Sequence, residues 1–262
     1  MVDFEFKECY NVEDLRALTK VLRSKDGCPW DMEQTHESVR RDFIEEVYEV
    51  VEAIDEKSPE HLKEELGDVL FQVCFHADME EEAGRFNLDD VADAVTKKLI
   101  LRHPHVFGDV EAKTSSEVLS NWDDIKRKEK HQATVTDAMN AVARSLPATW
   151  RSEKVSKKAA KVGFDWDFAG DVVAKLREET DELERALHGD GDVFEELGDI
   201  LASAVNIARK LKIDPEEALN ASTDKFISRF SKMEGAALSR GENLKDLSPR
   251  ELDRLWEDAK AH

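Results

Sequence analysis

One arrangement of acids constrains the fold of this chain more than any other feature. The pattern Glu-x-x-Glu followed by Glu-x-x-Asp occurs twice. The first copy is Glu46-Val47-Tyr48-Glu49 with Glu65-Leu66-Gly67-Asp68; the second is Glu179-Thr180-Asp181-Glu182 with Glu196-Leu197-Gly198-Asp199. On a helix, residues three apart share a face. Two such helices packed side by side aim four acids at one point. At an effective dielectric of about 20, a like-charged pair about 4 Å apart costs roughly 4 kcal/mol. Acids gathered in this way imply a hard divalent cation, and the recurrence implies two sites.

The surrounding residues carry a helical period. Residues 35–56 place Val39, Phe43, Val47, Val50 and Ile54 at steps of three and four, and residues 59–83 do the same with Leu62, Leu66, Val69 and Val73. Both segments read as amphipathic helices. Ser58-Pro59, Asp214-Pro215 and Ser248-Pro249 each offer a cap followed by proline at the first helical position. Thr114 with Glu117 and Ser248 with Glu251 fit a capping box. Further helices are expected near 11–24, 88–102, 115–130, 151–162, 168–188, 192–211, 215–239 and 249–260, and no alternating strand pattern is found.

The two halves match beyond the acids. Pro29-Trp30-Asp31 precedes the first acidic helix and Asp165-Trp166-Asp167 the second. Lys98 and Arg102 follow the first set, Lys225 and Arg229 the second, and Trp122 and Trp256 come next in each half. This shared order indicates duplication of a helical module of roughly 110 residues. The expected fold is all-α, with two tandem helical-bundle modules at 1–132 and 151–262 and a linker at 133–150, where Pro147 marks a turn.

Composition narrows the partners. The formal net charge is −21, from 38 Lys and Arg against 59 Asp and Glu. A duplex binder needs a basic face to neutralise phosphates, so nucleic acid is not an expected partner. No apolar run approaches the ~20 residues of a membrane span, and Met1-Val2-Asp3-Phe4-Glu5 lacks the order of a signal peptide. Cys9, Cys28 and Cys74 form no C-x-x-C and read as free thiols in a reducing cytoplasm.

The chemistry follows from the donor set. Carboxylate oxygens suit Mg²⁺, with Mn²⁺ as a substitute, and offer nothing to soft metals. The alternative for any single Glu-x-x-Glu is a solvated face, as Glu45, Glu49, Glu52 and Glu56 would form. Gly67 and Gly198 weaken their helices, and would let a second helix or a ligand approach closely. Lys98 with Arg102, and Lys225 with Arg229, lie one helical turn apart. Alone each pair reads as a surface ion pair; beside a cation site it reads as a clamp for a polyphosphate. Trp122 and Trp256 fit either a stack on a nucleobase or a place in the core. His36 reads as a cap or surface residue, and His103-Pro104-His105 as a helix end. The chain has no P-loop and no dinucleotide-binding glycine motif.

Taken together, Cys28-Pro29-Trp30-Asp31, Glu45-Glu46-Val47-Tyr48-Glu49, Glu64-Glu65-Leu66-Gly67-Asp68-Val69-Leu70-Phe71-Gln72, Arg102-His103-Pro104-His105-Val106-Phe107, Arg144-Ser145-Leu146-Pro147 and Val162-Gly163-Phe164-Asp165-Trp166 resemble the MazG family of nucleoside triphosphate pyrophosphohydrolases in its two-repeat form. The resemblance covers nearly the whole chain. It implies an all-α fold, Mg²⁺ dependence, nucleotide and ATP binding, a homodimer, and conversion of NTP and water to NMP and pyrophosphate with broad base tolerance, in a housekeeping role that clears aberrant or excess nucleotides. It implies Glu179, Glu182, Glu196 and Asp199 as metal ligands and Lys175, Lys225, Arg229 and Trp256 as nucleotide contacts. Glu46, Glu49, Glu65, Asp68, Lys98, Arg102 and Trp122 are the counterparts in the first repeat. Glu178 or Glu179, and Glu45 or Glu46, would orient or deprotonate the attacking water. Asp42 stands where Lys175 does, so the first site is expected to bind nucleotide less well or differently. Narrower readings are a pyrophosphohydrolase for dUTP or phosphoribosyl-ATP, and a helical binding module without catalysis.

Overall fold

The computed structural model describes residues 4–261; Met1–Asp3 of the acidic N-terminal segment and His262 lie outside them. The described residues form helices and no strand. The chain divides into two compact units between Lys126 and Arg127, within the last turn of a helix.

The first unit holds α1 (Val12–Arg23), α2 (Pro29–Glu33), α3 (Arg40–Asp55), α4 (Pro59–Glu82), α5 (Leu88–Arg102), α6 (Pro104–Phe107) and most of α7 (Ser115–Glu129). Its centre is the antiparallel pair α3–α4, with α1 and α5 laid against α4. Val39, Phe75 and Met79 are buried together, with Phe71 packed on them. Arg23 ties three segments to this core. Its guanidinium grips Glu82 through Nε and Nη2 at 3.0 and 2.8 Å, donates to the carbonyls of Asp31 and Gln34, and lies over the Phe75 ring. A fork-to-carboxylate grip of this kind fixes geometry as well as charge.

The second unit holds α8 (Val135–Asn140), α9 (Ala148–Ala160), α10 (Ala169–Leu187), α11 (Val193–Leu211), α12 (Pro215–Leu238) and α13 (Pro249–Ala261), with a 3₁₀ turn at Leu244–Asp246. The α10–α11 pair is its counterpart of α3–α4, and α9 packs on both α11 and α12. Trp150 on α9 donates its indole N–H to Asp214, which caps α12. Met233, Ala237, Leu255 and Ala259 form the core between α12 and α13, with Trp256 at its edge.

Most helix starts follow the expected chemistry. Ser58 and Asp214 accept hydrogen bonds from first-turn amides, and both proposed capping boxes close, Thr114 with Glu117 and Ser248 with Glu251. The first acidic helix starts at Arg40 and not near 35. Thr35 and Ser38 hydrogen-bond each other's backbone amides there and hold a turn in place of helix. The segment 133–150 carries α8, started by a capping box of Thr134 with Asp137.

The segment after α9 is fastened to α11 by charge. Asp165 accepts from Arg209 and sits 3.2 Å from Lys210, and these bonds hold its carboxyl at a pKa of about 2, below its ordinary 3.8. A carboxyl with a depressed folded-state pKa stabilises the fold above its unfolded pKa, and that contribution disappears as pH falls through the folded value. Asp165→Asn should therefore cost about 1–3 kcal/mol near neutrality. Urea unfolding of the two proteins should converge between pH 3.8 and about 2. A gap that stays constant over that window would remove the ion pair as the cause.

Candidate cation and phosphate site

Each acidic cluster is built on a helical hairpin. In the first unit α3 turns into α4 through residues 56–58, where Lys57 adopts a left-handed backbone. In the second, α10 turns into α11 through residues 188–192, where Gly189 and Gly191 supply positive φ. Each turn folds a helix back on its neighbour and sets the two acid motifs side by side.

Carboxylate oxygens of Glu46, Glu49 and Glu65 lie within 4.8 Å of one another, as do those of Glu179, Glu196 and Asp199. Each unit thus gathers three of its four acids, and a different three. The remaining acid is still felt. Asp68 helps to raise the pKa of Glu46 and Glu65, and Glu182 that of Glu196. In all three the first cause is lost hydration and the second is repulsion by neighbouring carboxylates. Glu65 and Glu179 are buried, whereas Glu49, Asp68 and Asp199 are exposed. The result is an all-oxygen pocket, strained by its own charge and open on one side. That donor chemistry fits a hard divalent cation.

The two clusters differ in their nearest cations. Lys175 reaches Glu179 at 2.7 Å and Glu178 at 2.8 Å, and both bonds raise its pKa. In the first unit Asp42 stands at the matching place, and Arg41 beside it pairs with Glu45 at 2.8 Å. His61, which the sequence reading passed over, sits 3.1 Å from Glu65 and 2.8 Å from Glu56. The His61–Glu65 step of four on one helix face was the available signal. Its counterpart is Asp192, the cap of α11.

Lys98, Lys225 and Arg229 make no ion pair among the described residues. Arg102 is buried, its guanidinium 5.5 Å from the Trp122 ring centre, and the His103 ring meets the same indole edge-on. Trp256 packs on Phe226 at 5.1 Å and joins the α12–α13 core. Both tryptophans keep part of their surface open, so the two sequence-based roles for them are compatible. His36 is neither a cap nor a plain surface group. It contacts His76 at 2.7 Å and Glu80 at 2.6 Å, and Arg85 holds Glu80 from the other side. Gly67 and Gly198 lie in open space, where an added Cβ would meet nothing within 4 Å. The close helix approach expected at these glycines does not occur within either unit.

Comparison with known proteins agrees with this architecture. The MazG nucleotide pyrophosphohydrolase domain matches twice, at residues 34–107 and 170–233. Each match spans one acidic hairpin. The chain is 43% identical over 248 residues to the nucleoside triphosphate pyrophosphohydrolase/pyrophosphatase MazG of Thermotoga maritima, covering 95% of both chains. It is 41% identical over 252 residues to the nucleoside triphosphate pyrophosphohydrolase of Escherichia coli K12, covering 94% of this chain and 96% of that one. A protein of the same description from Mycolicibacterium smegmatis is 39% identical over 153 residues, 58% of this chain and 46% of its own.

The open space at Gly198 makes a direct test. Gly198→Ala should raise the unfolding free energy by about 0.5–1 kcal/mol, the ordinary helix gain. A loss of stability in thermal unfolding would show that another body packs against this position.

Proposed function

The chain belongs to the MazG nucleotide pyrophosphohydrolase family, and we propose that it hydrolyses nucleoside triphosphates to monophosphate and pyrophosphate with broad base tolerance, as a clearing enzyme for aberrant nucleotides. The observation that carries this reading is the doubled carboxylate pocket, in which Glu46, Glu65 and Glu196 are raised in pKa by burial and then by the neighbouring carboxylates. Mg²⁺ is the proposed cation, with Mn²⁺ able to replace it. Glu179, Glu182, Glu196 and Asp199 would hold it in the second unit, and Glu46, Glu49, Glu65 and Asp68 in the first. A dication bound there supplies Lewis-acid polarisation of the phosphate oxygens and lowers the pKa of water.

The chain's own groups supply the rest. Glu178, exposed and paired with Lys175, would accept a proton from water while Glu179 stays in the cluster. Glu45 and Glu46 stand in the same relation in the first unit. The water oxygen attacks the α-phosphorus, the bridging α–β P–O bond breaks, and pyrophosphate leaves. Lys225 and Arg229, with no carboxylate partner among the described residues, neutralise the charge that develops on it. Lys175 can join them. Trp256 offers a π face to the base, which reads shape weakly and explains base tolerance. Lys98, Arg102 and Trp122 are the corresponding groups of the first unit. Arg102 is less available there, being buried against Trp122.

A homodimer is the proposed assembly. Ile44, Val47, Tyr48, Val51 and Ile54 form an exposed apolar stripe along α3, and Leu219, Phe226, Ile227 and Phe230 stay exposed on α12. Contiguous apolar surface of this kind marks an interaction face. No helix among the described residues is long and apolar enough to cross a membrane, and the three cysteines are free thiols, which fits the proposed cytoplasmic setting.

Two measurements test these readings. Asp199→Ala combined with Asp68→Ala should lower pyrophosphate release from a panel of nucleoside triphosphates by on the order of 10²–10³-fold or more, with the helical circular dichroism kept. Release at the wild-type rate would refute the site, and activity on a single base would replace broad tolerance with a narrower enzyme. Sedimentation should give twice the chain mass, and Val51→Asp should shift the protein towards monomer; a wild-type monomer at all concentrations would remove the dimer.

A further inference from the structure

The two clusters are neutralised in different ways, and the difference predicts an order of filling. In the second unit Lys175 lies one turn before Glu179 on the same face of α10, and its ammonium binds the one buried acid of the cluster at 2.7 Å. It bridges at the same time to Glu178. In the first unit the cation has moved one residue back along α3, to Arg41. One residue is a rotation of about 100° around a helix, and Arg41 accordingly points outward, with a side chain 84% exposed and paired only to Glu45. Asp42 takes the register that Lys175 holds in the second unit, one turn before Glu46, and brings no positive charge there. Glu46 has no cationic partner among the described residues. Among the described residues the cation beside this cluster is His61, 3.1 Å from Glu65 and shared with Glu56.

We infer that Lys175 is a resident counter-cation of the second cluster, which a divalent cation must displace from Glu179, so that the first cluster fills with metal in the absence of nucleotide and the second fills together with it. This rests on the reading of both clusters as cation sites. The physical basis is direct. An ammonium and a dication cannot both occupy the space beside one carboxylate oxygen without strong repulsion. An incoming triphosphate gives Lys175 a better anion, and its departure from Glu179 frees that oxygen. Metal and nucleotide therefore assist each other at the second site, and by linkage the assistance is mutual. At the first site no lysine has to leave, so metal binding there is independent of nucleotide. The inequality of the repeats is then a difference in what each empty cluster already holds.

The test is Mn²⁺ binding to the full chain, followed by the paramagnetic resonance of free Mn²⁺, without nucleotide and then with a non-hydrolysable α,β-methylene triphosphate. Glu65→Gln and Glu196→Gln assign the sites. The expected result is a tighter class removed by Glu65→Gln and a weaker class removed by Glu196→Gln. They should differ by about tenfold or more. Lys175→Met should tighten only the weaker class by a similar factor and abolish its enhancement by the triphosphate analogue. Asp42→Lys, the reciprocal change, should weaken the tighter class. Equal affinities in the wild type, or a weaker class unmoved by Lys175→Met, would overturn the role of Lys175 while leaving the cation sites standing. If neither Glu→Gln change alters Mn²⁺ binding, the cation-site reading fails, and this inference fails with it.

Discussion

Repulsion between carboxylates held at the neck of a helical hairpin is the interaction around which the rest of this molecule is arranged. Neither α3–α4 nor α10–α11 could bring its acids within 4.8 Å on electrostatic grounds alone. The approach is enforced by packing. Val39, Phe75 and Met79 hold the first hairpin and Val172, Ala186 and Val205 are buried in the second. The strain remains visible as raised pKa values in Glu46, Glu65 and Glu196. A structure that gathers charge in this way is less stable than one that disperses it. On the proposed reading of the cluster as a cation site, a dication would offset that cost, because every pair that repels would then share one attractive partner.

Where a permanent counterion is present, it shapes what the pocket can do. Lys175 relieves Glu179 in the second unit, and His61 relieves Glu65 in the first. These are not equivalent solutions. An ammonium on a flexible stem is a mobile charge that can move to a phosphate, whereas an imidazole held at both ring nitrogens, by Glu56 and Glu65, orients its carboxylate and stays. The first cluster therefore has a fixed ligand and the second a releasable cation. On the proposed reading of both clusters as cation sites, the same duplication would give one pocket suited to holding an ion and one suited to exchanging it.

Much of the fold was legible because its signals are local. The helical period, the Ser58, Asp214 and Ser248 caps and the Thr114–Glu117 box each act within one turn, and each appears where the residues place it. The acids were legible as motifs because their spacing of three is a helix spacing. What could not be read was which three of four would converge, since that depends on the turn joining the helices, and the two turns differ in length and in their left-handed residues, Lys57 against Gly189 and Gly191. The His36–His76–Glu80–Arg85 chain was missed for a different reason: His76, Glu80 and Arg85 lie within ten residues, but His36 joins them from 40 and 44 residues away, and no periodicity links it to them. The MazG resemblance gave the fold and the expected chemistry at once, and its one mismatch, Asp42 in place of Lys175, ranked the second site above the first, but it could not show what holds each empty cluster.

The apolar period of α3 shows how far such reasoning extends. Val39, Phe43, Val47, Val50 and Ile54 read as one core-facing stripe, yet Val39 is buried while Val47 and Ile54 are about half exposed. A helix with period alone cannot say which apolar residues meet the chain's own core and which meet another surface. Here the stripe widens through Ile44, Tyr48 and Val51, beyond what α4 can cover. The helix that carries Glu46 and Glu49 on one face thus offers an apolar face as well. Any body that packs on that face fixes the rotation of α3 about its axis, and with it the spacing of the acids. Assembly and cation binding would then be coupled through a single rigid helix, with no moving part between them.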